Sequence, residues 1–227
     1  MTLQFAVLVP RGHVYSFEPY PPNYYLLHKN VEDNSFTHVS TFNRAVSDQD
    51  VDLCFNTVVT KNMGDIRLKD KSTSTCEKDQ IRVGSMSTED IEVTRLDLMK
   101  IDVQGYEWKV LRTSEKLILK HRPFILIEFE EWNMKRMTES YSTIDLVKYI
   151  TTTLRYEVFQ IRFEHFPADH LLVPLEKVDA VRRLFRGHFM PLTGPNRVNK
   201  NFEAGVKEQL CVRAVDCPDL KNGTWIQ

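Results

Sequence analysis

The stretch from Leu96 to Phe129 constrains the fold more than any other part of the chain. Leu96 to Val103 alternates and branches like a strand, runs into Gln104-Gly105, and gives way to a helical pattern carrying Val110, Leu111, Leu117 and Ile118. Arg122-Pro123 stops that helix, and Phe124 to Phe129 forms a second apolar run that ends in acids. Strand, helix and strand within about 35 residues make a βαβ unit, whose crossover is right-handed. Parallel strands of this kind are buried on both faces, so helices must cover the sheet from two sides.

The flanking segments extend the same pattern. His13 to Phe17 is a short β-branched and aromatic run ending in Glu18-Pro19, after which Pro21-Pro22 opens a helix carrying Tyr24, Leu27 and Val31. Phe36 to Phe42, Val51 to Phe55 and Gln80 to Met86 read as strands in a meander or at sheet edges, separated by polar segments such as Lys69 to Lys78. A helix over Ile144 to Leu154 and strands over Tyr156 to Phe163 and Leu171 to Pro174 complete an α/β doubly wound, mostly parallel sheet. Residues 1–175 are therefore expected to form the α/β domain. Residues 176–227 read as a helix and an irregular extension, in which Arg182 to Lys200 carries only basic charge and is broken by Gly187, Pro191, Gly194 and Pro195.

Composition narrows the function classes. With 30 Lys+Arg against 31 Asp+Glu over 227 residues, no global field favours nucleic acid. No run approaches the roughly 18 consecutive apolar residues of a membrane-spanning helix. Met1 to Val9 has no basic flank and reads as a poor signal peptide. Cys54, Cys76, Cys211 and Cys217 are too sparse for a disulfide framework and lack zinc-site spacing, so free thiols in a reducing, cytoplasmic setting are expected. Asn222-Gly223-Thr224 becomes a glycosylation acceptor only in a secreted chain.

In an open α/β sheet, ligands bind beyond the carboxyl ends of the strands, so acids there are candidate site residues. Glu18 can hold a ribose through both hydroxyls, or be a solvated turn acid. Asp102 precedes Gly105, where backbone approaches a ligand closely; it can face the site, cap the following helix, or do both. Glu128 and Glu130, two apart on a strand, share a face and repel unless one is protonated or both bind a cation or hydroxyl. Glu164, His165, Asp169 and His170 form a local cluster that could supply a base or a metal ligand; its spacing matches no standard metal motif, which favours structural or surface roles.

In combination these segments resemble the FkbM-type methyltransferase family, whose members use S-adenosylmethionine. The resemblance spans Thr2 to Leu175. It rests on Gly12-His13-Val14-Tyr15-Ser16-Phe17-Glu18-Pro19, on Asn43-Arg44-Ala45-Val46-Ser47-Asp48, on Leu98-Met99-Lys100-Ile101-Asp102-Val103-Gln104-Gly105-Tyr106-Glu107 with Val110-Leu111, and on Arg122-Pro123 leading to Ile127-Glu128. It implies a Rossmann-like methyltransferase fold in which Glu18 and Pro19 hold the ribose, Ala45 and Val46 lie near the adenine, and Asp102 and Gly105 face cofactor and acceptor. The implied chemistry is O-methylation of a hydroxyl on a sugar, glycan or other small molecule, with Asp102, then Glu128, as general base and no metal.

One family feature is missing. Family members carry a strand and a glycine-rich Asp-x-Gly-x-Asn-x-Gly loop before the helix that Met1 to Leu8 matches, and neither is found here. A sheet without its central strand leaves backbone groups orphaned. Three explanations stand: a piece of a longer enzyme, direct pairing of the flanking strands in a degenerate protein, or a substitute strand, for which Leu210 to Val215 is apolar enough. A non-catalytic scaffold is thus the alternative function. A nicotinamide-dependent oxidoreductase, which would also hold ribose with Glu18, has no GxGxxG to support it.

Overall fold

The computed structural model describes residues 1–47, 52–56, 68–69, 76, 80–128, 141–161, 169–184, 189–191 and 224–226. The main sheet is built from β1 (His13–Phe17), β2 (Val39–Phe42), β7 (Leu98–Ile101), β8 (Phe124–Glu128), β9 (Tyr156–Ile161), β10 (Asp169–Pro174), β11 (Phe189–Pro191) and β12 (Thr224–Ile226). Its order is β11-β9-β10-β8-β7-β12-β1-β2. From β2 to β8 all neighbours are parallel; β10 is antiparallel to both β8 and β9, and β11 is antiparallel to β9. With β12 counted as the first strand, the parallel part runs 3-2-1-4-5, the order of doubly wound nucleotide-binding sheets.

The central strand is thus present, and the expected gap is filled from the far end of the sequence. Thr224, Trp225 and Ile226 align with His13, Val14 and Tyr15 on one side, and Trp225 and Ile226 with Leu98 and Met99 on the other. The substitute is not Leu210 to Val215, which lies outside the described residues. The driving force is the one that made the gap untenable: two parallel strands flanking an empty slot hold unpaired N–H and C=O groups in the interior.

Helices cover both faces. Helices α3 (Glu107–Thr113), α4 (Glu115–His121) and α5 (Thr143–Thr152) place Val110, Leu111, Leu117, Ile118, Leu146 and Ile150 against Met99, Ile101, Ile125, Ile127 and Leu172. The other face carries α1 (Thr2–Leu8), whose Phe5 packs with Val9 and Val14, and α6 (Val178–Leu184), whose Val178 and Val181 pack with Phe159 and Val173. Pro at the first turn starts α2 (Pro21–Asp33), which runs along β2. The single helix expected over Val110 to Ile118 is two. Buried Ser114 ends α3 and starts α4, and its hydroxyl accepts from Thr88 at 3.2 Å. Arg122 adopts the left-handed conformation (φ 52°) at the end of α4, and Pro123 prevents continuation.

A second sheet, β3-β6-β4-β5, is formed by β3 (Ala45–Val46), β4 (Asp52–Asn56), β5 (Leu68–Lys69) and β6 (Gln80–Met86), with β4 antiparallel to both β5 and β6. It carries a disulfide between Cys54 and Cys76. The expectation of free thiols therefore fails for these two cysteines: strand β4 brings together residues whose spacing, 22 apart, matches no motif. Cys211 and Cys217 lie outside the described residues. So does most of Arg182 to Lys200, although Phe189–Pro191 forms an edge strand despite Pro191, as an edge position tolerates.

Candidate active site

The ladder registers place the candidate acids in one row. Tyr15, Ile226, Met99, Ile125 and Leu172 are aligned across five strands, and Ser40 aligns with Tyr15 on β2. Three residues further toward the carboxyl edge from this line stand Asn43, Glu18, Asp102 and Glu128, and Asp169 occupies the same level on antiparallel β10. The row flanks the point between β12 and β7 where the strand order reverses, the usual ligand crevice of such sheets. Glu18 and Asp102 stand on strands two apart, about 10 Å in a sheet with this strand spacing.

Half-buried Glu18 is held by the chain that follows it. Its Oε1 accepts the Tyr20 amide at 2.9 Å and its carboxylate also meets the Asn23 side chain, yet burial outweighs these bonds and raises its pKa. Asn43 ties the two neighbouring loops together, its Nδ2 donating to the carbonyls of Glu18 and Pro19 at 2.9 and 3.0 Å. Ala45 is buried in β3, and half-buried Val46 packs beside it against the main core. Beside them a cavity of about 440 Å³ is lined by Pro21, Phe42, Asn43, Arg44, Arg82 and Gly84.

Asp102 is not a helix cap. The residue at that position of α3 is Tyr106, with no side-chain cap bond, whereas Asp102 accepts from Gln104 at 3.2 Å and is exposed at the crevice. Gln104 (φ 53°) and Gly105 (φ 104°) both turn through the left-handed region, where Gly105 is free of side-chain strain. The turn is fixed by Glu107, whose Oε1 accepts the Gly105 amide at 3.0 Å. Glu107 is buried with Oε2 unpartnered, and burial, above all, pushes its carboxyl up to about 7.

Asp102 and Glu128 stand level on adjacent strands, each one residue beyond the paired Ile101 and Ile127. Burial, and after it the charge and the hydrogen bond of Asp102, pushes Glu128 up to about 7, while Lys100 pulls the other way. Glu128 thus meets a like charge in Asp102; its expected repulsion with Glu130 involves a residue outside the described ones. In the Glu164 to His170 cluster, Asp169 and His170 alternate to opposite faces of β10, and Glu164 and His165 lie outside the described residues. Among the described residues no group of three or more His, Cys, Asp or Glu is arranged to hold a metal ion.

The profile of the Methyltransferase FkbM domain matches residues 2–161. The chain belongs to the FkbM methyltransferase family. Among solved structures, a methyltransferase FkbM from Methylobacillus flagellatus KT is similar at 15% identity and a TM-score of 0.45, over 70% of this chain and 36% of that one. The present chain thus spans little more than a third of that protein. No curated protein matches. Among the described residues no helix is long and apolar enough to cross a membrane.

Within this FkbM domain the motif acids Glu18, Asp102 and Glu128 converge, while Lys100, Asp169 and Asn43 were not assigned roles from the sequence. A signal for Lys100 was available. It is the one cation in the apolar strand Leu98–Ile101 and lies two residues before Asp102, hence on the same face. The sequence marks Asp169 only as a member of the Glu164 to His170 cluster; its place beside Lys100 depends on antiparallel pairing with β8.

Proposed function

We propose that this FkbM domain is an S-adenosylmethionine-dependent O-methyltransferase acting on a hydroxyl, of a sugar, glycan or other small molecule. The observation that carries this reading is the row formed by Glu18, Asp102 and Glu128 along the carboxyl edge at the switch point. Residues 1–175 would supply the cofactor and acceptor walls.

The residues present fit the cofactor. Glu18 is a carboxylate held at a cost by burial, and the two hydroxyls of a ribose would relieve that cost by donating to it. Pro19 would shape the ribose wall, Ala45 and Val46 the adenine wall, and the left-handed turn at Gly105 lets backbone come close. When bound, the cofactor supplies an electrophilic methyl group. The chain's contribution is alignment of an acceptor oxygen, the main source of rate in an in-line displacement. Asp102, exposed at the crevice and level with Glu128 on the next strand, would receive the acceptor proton, with Glu128 as the alternative base. Glu128, poised near neutral, suits that task because it is unprotonated often enough to act and basic enough to accept.

The scaffold reading keeps one specific support, the lack of an Asp-x-Gly-x-Asn-x-Gly loop in the 227 residues. Calorimetric titration with S-adenosylmethionine and S-adenosylhomocysteine separates the two. Saturable binding that Glu18→Ala weakens by about 1.5–3 kcal/mol, as for a charged hydrogen-bonding group, is expected for the enzyme. Absence of binding by a cooperatively folding chain sinks it in favour of the scaffold. The cytoplasmic setting expected from the cysteines loses its basis with the Cys54–Cys76 bond, which favours an oxidising compartment.

A further inference from the structure

Lys100 is the third residue of β7, and its side chain is only 4% exposed. Its neighbours Met99 and Ile101 face the α3–α5 core, so Lys100 lies on the other face of the strand, level with Leu126 of β8 and Leu171 of β10. An ammonium in such a setting is retained only with counter-charges close by. Nζ lies 3.2 Å from Asp169 Oδ1 and 3.9 Å from Asp102 Oδ2. Asp169 in turn stands directly opposite Glu128 in the β8–β10 ladder. One buried cation thus sits beneath three carboxyl groups contributed by three adjacent strands.

We propose that Lys100, anchored by Asp169, is a positioning residue that lets the Asp102–Glu128 pair give up its shared proton and so stand ready to receive the proton of an acceptor hydroxyl. This rests on the methyl-transfer reading for its purpose, though not for its electrostatics. With every group ionised, three carboxylates and one ammonium carry a formal charge of −2; one shared proton reduces it to −1. Without Lys100 the pair would hold its proton into the alkaline range and lose its capacity as a base. Without the Asp169 charge it would release the proton at lower pH. Among the described residues the charged groups facing the pair are Lys100 on β7, Asp169 on β10 and Glu107 at the start of α3. A purely structural strut between β7 and β10 would give no such opposed effects.

The test is a carbon-13 NMR titration of the Glu128 carboxyl in the full chain from pH 5 to 9, assigned by its loss in Glu128→Gln. Lys100→Met is expected to raise the midpoint, and Asp169→Asn to lower it, each by about 1–3 units as for a charge within 4–6 Å. Lys100→Arg should leave it in place. Midpoints that stay put in both Lys100→Met and Asp169→Asn would overturn the proposal, whatever stability the variants lose. Should Lys100→Met fail to fold, the downward shift in Asp169→Asn decides alone, and its absence overturns the proposal. If methyl transfer is detected, the acidic limb of kcat must follow the same midpoints. If the midpoints move as stated and no methyl transfer occurs, the coupling stands and the methyl-transfer reading falls.

Discussion

Cutting the Cys54–Cys76 link without disturbing the core gives a sharp test of the second sheet. Cys54 is buried on β4 and Cys76 is half-buried, so Cys76→Ser leaves the Cys54 sulfur in its packed position and removes only the bond. A separation of 22 residues sets the loop whose closure entropy the bond removes from the unfolded chain. The chain-entropy relation gives about 3.4 kcal/mol at 25 °C for a loop of that length. For a domain of this size that is a sizeable share of the total stability. Urea unfolding of wild type and variant, followed by tryptophan fluorescence and by far-ultraviolet dichroism, reads the change. Thiol titration of the unfolded, unreduced wild type should find at least two fewer thiols than its four cysteines. Four free thiols, or a variant within about 0.5 kcal/mol of wild type, would refute the reasoning and restore a reducing compartment.

Three further outcomes are expected. Because burial holds Glu107 at about 7 against an ordinary 4.5, the folded chain keeps a proton that the unfolded chain releases; the associated stability is complete below about pH 4.5 and is lost as pH rises through about 7. Glu107→Gln keeps an acceptor for the Gly105 amide, so relative to wild type it should gain on the order of 3 kcal/mol across that window; parallel stability curves would count against it. In Gly84→Ala the new Cβ would fall 1.7 Å from Arg44 Nη1 and 2.9 Å from its Cζ, the far end of a flexible side chain. Thermal melting should therefore change little while ligand affinity at the adjoining cavity shifts, and a collapse in stability would contradict this. Trp225→Pro removes a backbone donor from a strand paired on both sides, at about 1–3 kcal/mol for the carbonyl left unpaired; hydrogen exchange that leaves β1 and β7 as protected as before would show β12 to be dispensable.

Much of this architecture was legible because it rests on local rules. Gln80 to Met86 was read with its observed ends, and the βαβ unit from β7 to β8 followed from periodicity and from Arg122-Pro123. Glu18, Asp102 and Glu128 were legible because strand ends can be read from hydrophobic runs. The parts that were not legible depend on partners far away in sequence. Thr224–Ile226 is too short for any period to register, and only the backbone requirements of β1 and β7 give it a place. The same holds for Asp169, whose neighbour Lys100 is supplied by another strand, and for the cystine, whose halves stand 22 residues apart. The break at Ser114 escaped because its helical pattern continues in phase while a tertiary hydrogen bond from Thr88 fixes the kink.

The position of β12 also bears on how the chain acquires its structure. Its two neighbours come from near the beginning and the middle of the sequence, so the contacts that join the β1–β2 half to the β7–β8–β10–β9 half are of very high contact order. During synthesis, at roughly 5–20 residues per second, both halves emerge and wait with exposed parallel edges until residues 224–226 leave the ribosome. For most of that interval the crevice between Glu18 and Asp102 has no floor. The crevice should therefore be complete only once residues 224–226 have emerged, and the waiting edges are where chaperones would be recruited or where two nascent chains would pair with each other instead.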